Sequence, residues 1–307
     1  MTTTLLQMAL LIAAGGVWRF FKPAGLGAIE IRNVVTTLVY YYFLPAMILN
    51  VLWQADIGVK SLYFMLLTVS SISVAIACAW LIGKLLRFDN YRLGAVILAA
   101  AFGNVTYLGL PILEQVFGSW ARSVAIQIDL FACAPYLFTF GIMIARHYGQ
   151  DESEKPKSVF SFLNTPPFWA MAIAVVLNMN NITAPLWFMQ LLQKLSGAVI
   201  PLMLFSLGLA LSWTAISVRN LPYLLTVAVI KLAIMPLFAF YLARYLPLDT
   251  NDKAAAILDI AMPCMLIGVV LCDRYRLDSY LYAMIVTITT AMSAITLPFW
   301  YSILKPA

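Results

Sequence analysis

Ten long apolar segments follow one another along this 307-residue chain, and they constrain its fold more than any single motif does. A helix needs about 20 apolar residues to cross the roughly 30 Å hydrocarbon core of a bilayer. The chain is 63% hydrophobic and only 10% charged, which is more apolar surface than a soluble protein of this length can bury. The segments are too continuous for the alternating strands of a membrane barrel. The sequence therefore predicts an all-α polytopic membrane protein with ten transmembrane helices, at about 4–20, 33–53, 61–83, 93–117, 122–145, 166–180, 187–212, 221–243, 254–272 and 279–303.

The second apolar segment is similar in sequence to the seventh, which indicates an internal repeat. The letters FLPAMILN at Phe43–Asn50 return as VIPLMLFS at Val199–Ser206. A further proline follows the proline of each stretch at a similar distance, Pro111 after 66 residues and Pro263 after 62. Inverted repeats with a broken helix at matching positions are typical of secondary transporters. The internal repeat thus predicts a transport site near the two matching prolines.

Five spans in each half would place the second half upside down in the membrane. We predict a first repeat at 1–146, a polar linker at 147–165 and a second repeat at 166–307. With the N-terminus outside, 12 basic residues fall in cytoplasmic loops and 6 on the opposite side, while Lys231 lies within a span. This bias predicts that both termini are extracytoplasmic, and the short loops fit a bacterial inner membrane.

The fourth segment carries Gly103, Asn104, Gly109 and Pro111 inside one apolar stretch, and Pro263 interrupts the ninth segment at the matching place. Proline removes a backbone donor and glycine permits unwound backbone, so both segments are predicted to be broken helices. Unwound backbone survives in a membrane only where it is buried in protein or lines a cavity. Freed N–H groups at the breaks would attract an anion. The predicted substrate-binding residues are Asn104, Thr106, Tyr107, Gly109, Pro111, Pro263, Cys264, Met265 and Asn50.

The stretch Gly103–Pro111, which reads GNVTYLGLP, resembles the signature of the auxin efflux carrier family of membrane transporters. The second-span Leu44-Pro45 and the ninth-span Ala261-Met-Pro263 are similar to that family as well. The resemblance covers the whole chain and implies a scaffold of spans 1, 2, 6 and 7. It also implies a transport domain of spans 3–5 and 8–10, whose broken helices cross. Family members carry organic anions such as auxin or dicarboxylates, and homodimers with elevator-type motion are implied. Cys264-Met265 departs from the small polar residues that often follow this proline.

Charged and amide side chains inside apolar segments are expensive in a bilayer and therefore mark candidate ion pairs or coupling groups. Lys231 lies near the middle of the eighth span, and Asp259 precedes Pro263 by about one helical turn. The two residues form either a structural ion pair or a pair that takes part in substrate binding or proton coupling. Asp129, Gln127 and Glu114 are further candidates, although each also has a simple structural interpretation at a span end or a helix N-terminus.

The function predicted from these features is a secondary active or facilitative carrier of a small organic anion that binds where the broken helices meet. Coupling to protons, coupling to sodium and uncoupled movement all remain open. A sodium-coupled bile-acid-type symporter is the alternative, and a ligand-sensing receptor fits less well because the chain has no soluble output domain. The sequence holds no nucleotide-binding or nucleophile motif, no cysteine pair and only one histidine, so we predict no cofactor, metal or enzymatic activity. The basic residues stand singly, so the partners expected are the bilayer and the anion, not nucleic acid.

Overall fold

The computed structural model describes residues 2–55, 57–149, 165–210 and 220–304, and these residues are helical with no β-strand among them. Helix lies in each of the ten predicted apolar segments. Most of the predicted linker 147–165 falls outside the described residues, as do the basic residues Lys155, Lys157, Arg219 and Lys305. The helices are α1 Thr2–Phe21, α2 Ala28–Leu52, α3 Val59–Leu85, α4 Asn90–Ala101, α5 Val105–Phe117, α6 Ala121–Tyr148, α7 Pro166–Met179, α8 Leu186–Ala210, α9 Leu221–Ala243, α10 Thr250–Ile260, α11 Gly268–Arg274 and α12 Ser279–Leu304.

Six of the helices in the described part of the chain are long and apolar enough to cross a membrane: α2, α3, α6, α8, α9 and α12. Two further helices, α5 and α7, are also apolar but shorter. The predicted all-α membrane class is therefore confirmed.

Several prolines follow a local widening of the helix, whereas Pro201 in α8 and Pro298 in α12 lie within continuous α-helix. At three of the widened turns the residue before the proline donates its N–H to the carbonyl five residues earlier: Leu44 to Val39, Ala134 to Asp129 and Met235 to Ile230. The wider π turn relieves the clash between the proline ring and the preceding turn. Four such turns end two residues before a proline: Val39–Phe43 before Pro45, Val105–Gly109 before Pro111, Asp129–Cys133 before Pro135 and Ile230–Ile234 before Pro236.

A side chain from another helix satisfies the carbonyl that one of these prolines leaves free. Pro236 has no N–H to give to the carbonyl of Leu232, four residues earlier. The indole N–H of Trp300, on α12, donates to this carbonyl at 2.8 Å, and the tryptophan is buried. A buried carbonyl without a partner costs about 1–3 kcal/mol, so this bond fixes the π turn of α9 against α12.

Replacement of Trp300 by phenylalanine is expected to lower the melting temperature of the purified protein. Phenylalanine keeps an aromatic ring but leaves the Leu232 carbonyl unpaired, at a cost of about 1–3 kcal/mol. The matched control is Trp187→Phe on α8, where the tryptophan is 69% exposed. Equal melting temperatures for the two variants in a thermal unfolding series would show that the indole bond does not stabilise the fold.

The helices group into two compact units, each drawn from both halves of the sequence. The first unit comprises 1–59, 106–126 and 162–211, and the second comprises 60–105, 127–161 and 212–307. Within the first, α1 packs on α8 and α2 packs on both α7 and α8. Asn178 of α7 donates to the carbonyls of Trp53 and Ala55 at 3.0 and 2.8 Å, which secures the end of α2.

Glycines bring α1 and α8 into backbone contact. A methyl group added at Gly208 would lie 1.9 Å from the carbonyl oxygen of Ile12, and one at Gly15 would lie 2.1 Å from that of Phe205. Small residues permit such close approach, which drives helix association in membranes through van der Waals packing.

Polar contacts hold the ends of helices together in the second unit. Arg92, in the first turn of α4, contacts Asp278 at 3.2 Å and the hydroxyl of Tyr223 at 3.3 Å, and so joins α4 to the starts of α9 and α12. Lys60 of α3 binds the carboxylates of Asp249 and Asp252, at 2.7 and 3.0 Å, at the start of α10. The hydrogen bond from Lys60 also lowers the pKa of the exposed Asp249 carboxyl below its ordinary value. These contacts position α4 and α10, the two helices that end at the candidate site.

Candidate functional site

Two helix interruptions lie side by side in the second unit. Helix α4 ends at Ala101 and α5 begins at Val105, while α10 ends at Ile260 and α11 begins at Gly268. The first interruption is narrower than the glycines and proline of that segment predicted. Gly109 and Pro111 remain helical, because the π turn that begins α5 accommodates the missing donor of the proline.

Backbone hydrogen bonds pair the two interruptions in antiparallel fashion, with Gly103 opposite Cys264. The N–H of Asn104 donates to the carbonyl of Pro263 at 2.8 Å, and the N–H of Met265 donates to the carbonyl of Phe102 at 3.1 Å. These bonds replace the helical bonds that the breaks remove, as buried backbone requires.

The hydroxyl of Thr289, on α12, accepts the N–H of Cys264 at 3.4 Å. Three N–H groups of the interruptions, those of Asn104, Cys264 and Met265, are therefore already engaged within the protein. Recognition of an anion by these three groups, as the broken-helix pattern predicted, would need their present bonds to open. The side chains at the interruptions are the better donors.

Asn104 presents an unused amide to the interior of this unit. Its side chain is only 3% exposed, and its Nδ2 has no hydrogen-bond partner among the described residues. An unpaired buried amide costs about 1–3 kcal/mol, which a ligand oxygen would recover. The backbone bond to Pro263 fixes this residue, so the amide is held at the interruption.

Lys231 brings a fully buried ammonium group to the same place. The residue lies in the π turn of α9, and its Nζ donates to the carbonyl of Ile260 at 3.4 Å and contacts the sulfur of Met235 at 3.1 Å. A methyl group added at Gly103 would lie 2.8 Å from this nitrogen. The glycine at the first interruption therefore leaves the space in which the ammonium approaches the backbone.

Asp259 lies in the last turn of α10 and is fully buried. Neither oxygen of its carboxyl group has a hydrogen-bond partner in the described part of the protein, and it forms no salt bridge with Lys231 there. The structure thus does not realise the direct ion pair that was one interpretation of these two residues. The ammonium instead binds the carbonyl of Ile260, the neighbour of Asp259.

The other predicted residues of the second unit surround this cluster or lie further along α6. Pro263 and Cys264 are buried, and the carbonyl of Met265 accepts the hydroxyl of the buried Tyr282 at 3.1 Å. Gln127 accepts a hydrogen bond from Ser61 at 2.6 Å. The half-buried Asp129 begins the π turn of α6.

The remaining predicted residues belong to the first unit. Asn50, Thr106 and Tyr107 are half-buried, whereas Gly109 and Pro111 are buried in α5. Glu114 forms an ion pair with Arg122, so its charge is compensated within that unit.

Sequence reasoning missed three residues that shape the site. Thr289 binds the backbone of the second interruption, Met235 contacts the ammonium, and Gly103 provides the space for it. Only Gly103 carried a signal, since it was noted as a helix breaker but not as a contact of Lys231. The other two are ordinary span residues that only the packing of α9 and α12 reveals.

The apolar helices and their paired interruptions define an integral membrane protein of the transporter type. The chain belongs to the membrane transport protein family, the auxin efflux carrier-like family, whose profile matches residues 3–301. It is 26% identical to an uncharacterized transporter of Methanothermobacter thermautotrophicus over 99% of this chain and 98% of that protein. It is also 25% identical to an uncharacterized transporter of Methanocaldococcus jannaschii over 92% of each chain. The predicted family resemblance is confirmed, and membership favours transport over catalysis.

Proposed function

We propose that this protein is a secondary or facilitative carrier of small organic anions, and that the anion is a carboxylate bound beside the paired helix interruptions. The observation that carries the proposal is the ammonium of Lys231, which is fully buried and whose hydrogen-bond partners among the described residues are a carbonyl and a thioether. A carbonyl and a sulfur are weak partners for a buried positive charge, whereas a carboxylate is a strong one.

The amide of Asn104 supports the same ligand class. Its Nδ2 is a donor without a partner among the described residues. Asn104 directly follows Gly103, the residue that the ammonium of Lys231 approaches. An ammonium and an amide donor suit the oxygens of a carboxylate, because charge-assisted hydrogen bonds are about twice as strong as neutral ones. A cationic ligand would not bind favourably here, because an ammonium group repels it and an amide N–H offers it no acceptor.

We propose further that transport uses ten spans in two inverted repeats, with elevator-type alternating access in a homodimer. The two compact units support a division into scaffold and transport domain. Spans 1, 2, 6 and 7 fall in the first unit, and spans 3 and 8–10 fall in the second. The fourth and fifth spans are divided, since 106–126 belongs to the first unit. The membrane proposed is the bacterial inner membrane, with both termini on its extracytoplasmic side.

The proposal is tested by thermal stabilisation of the purified protein with malonate, malate, succinate, indole acetate and taurocholate as potassium salts, with and without sodium. A ligand that binds only the native state raises the melting temperature by mass action. Stabilisation by at least one small carboxylate without sodium is expected. Stabilisation that requires sodium would favour the sodium-coupled symporter, and no stabilisation by any of the five acids would contradict the anion site.

Asn104→Ala is expected to fold normally and to lose transport of the stabilising acid in proteoliposomes. The lost amide bond corresponds to about 1–3 kcal/mol, or roughly five-fold to 150-fold weaker binding. Asn180→Ala is the control, because Asn180 is exposed just after α7 and its side chain donates to the carbonyl of Val176 in that helix. Undiminished transport by Asn104→Ala would remove this residue from the site.

A further inference from the structure

Asp259 has a buried carboxyl group that the anion site itself does not use. The electrostatic environment opposes the ionised form on three grounds. The group is fully buried, neither of its oxygens receives a hydrogen bond from the described residues, and it lies in the last turn of α10. Burial without hydrogen bonds penalises a charge, and the carboxyl end of a helix disfavours a negative one. The neighbouring ammonium of Lys231 is what favours the ionised form.

The charged groups that act on Asp259 come from two other helices, Lys231 of α9 and Asp129 of α6. Asp129 is half-buried, so solvent reaches part of this residue, unlike the fully buried Asp259. The other titratable side chains of the cluster are buried thiols and a phenol, groups that are mostly uncharged at neutral pH: Cys133 of α6, Cys264 beside the second interruption and Tyr282 of α12. The charge of Asp259 therefore depends mainly on whether Lys231 is available to balance it.

We propose that Asp259 takes up one proton when the anion binds to Lys231, so that the carrier moves a proton together with each carboxylate. In the empty site the ammonium of Lys231 balances the carboxylate of Asp259. When an anion occupies Lys231, that balance is lost, and a buried site with one uncompensated negative charge is unfavourable. A proton from the same aqueous side then adds to an oxygen of Asp259, and it leaves when the anion leaves. This inference rests on the proposed function.

Both states of the site are electrically balanced in this scheme when the anion carries one negative charge, as indole acetate does. The empty site holds one ammonium and one carboxylate, and the loaded site holds one ammonium, one bound monocarboxylate and one protonated Asp259. Moving a site with no net charge through low dielectric avoids the cost of an unpaired buried ion. The structure assigns the proton to Asp259 and not to Glu114, because Glu114 is already paired with Arg122.

The test is isothermal titration of the purified protein near neutral pH with the same five acids. Each titration is made in two buffers of different ionisation enthalpy, which yields the number of protons taken up per ligand bound. We expect the uptake of about one proton per anion for the unmodified protein and about none for Asp259→Asn. Asp252→Asn, at the opposite end of the same helix, is the control and should keep the uptake, since Asp252 is paired with Lys60.

The outcomes separate the two proposals. Binding without proton uptake by the unmodified protein would overturn the coupling and leave the anion site standing, and this result does not depend on any variant. If proton uptake persists in Asp259→Asn but disappears in Asp129→Asn, the proton binds to Asp129, and the assignment to Asp259 is overturned. Failure of all five acids to bind would overturn the proposed function, and this inference with it.

Discussion

Lys231→Met is expected to weaken carboxylate binding by roughly 30-fold to a few thousand-fold while the protein still folds. Removing one partner of a buried hydrogen-bonded charge pair costs about 2–5 kcal/mol of binding free energy. Methionine has a similar length and can keep the contact with the sulfur of Met235. The buried carboxyl group of Asp259 then has no ammonium to balance it, and such a group takes up a proton instead of staying charged, so the fold holds no uncompensated ion.

The measurement is the dissociation constant of the best acid from the thermal series, together with the melting temperature without ligand. Lys84→Met is the matched control, since Lys84 lies in the last turn of α3 with an exposed side chain. Unchanged affinity in Lys231→Met would show that the ammonium serves the packing of α9 and not the ligand. A large loss of melting temperature with unchanged affinity would point the same way.

Gly208→Ala is expected to produce the largest loss of stability among single methyl additions to this protein. The added carbon would lie 1.9 Å from the carbonyl oxygen of Ile12 and 2.9 Å from the backbone nitrogen of Gly16. Both obstacles are backbone, so neither can rotate away and α1 must separate from α8. Overpacking of this kind costs about 1–3 kcal/mol, and occasionally more.

The same change at Gly197 provides an internal reference on α8. A methyl group added there meets nothing within 4 Å, so only the helix propensity changes, which favours alanine by about 1 kcal/mol. Thermal unfolding of the two variants in one detergent should therefore shift in opposite directions. Equal shifts would mean that α1 and α8 are not packed through Gly208.

Much of the fold could be predicted from the sequence because bilayer thickness fixes the length of apolar segments. The all-helical class and the family follow from those segments and from the stretch Gly103–Pro111, and both are confirmed. The effect of individual prolines could not be predicted in the same way. Whether proline breaks a helix or widens it depends on partners for the carbonyls it frees, such as Trp300 for Leu232, which is distant in sequence.

The candidate site was predictable in its residues but not in its contacts. Asn104, Lys231 and Asp259 stood out because polar groups are costly inside apolar segments. That Lys231 would approach Gly103 and not pair with Asp259 depends on how α9 packs against α4 and α10. Sequence spacing carries no information on such a packing, so it left open whether Lys231 and Asp259 form an ion pair or take part in binding or coupling.

The pairing of the two helix interruptions has a consequence for how this family can diversify. The bonds that join Asn104 to Pro263 and Met265 to Phe102 connect main-chain atoms only. Any residue that keeps its backbone N–H and carbonyl can make them, so the junction does not depend on which side chains stand at 264 or 265. New side chains can therefore stand at this place without loss of the junction, and under the proposed function they would change the cargo. A main-chain junction of this kind lets the architecture stay constant while the side chains beside it vary.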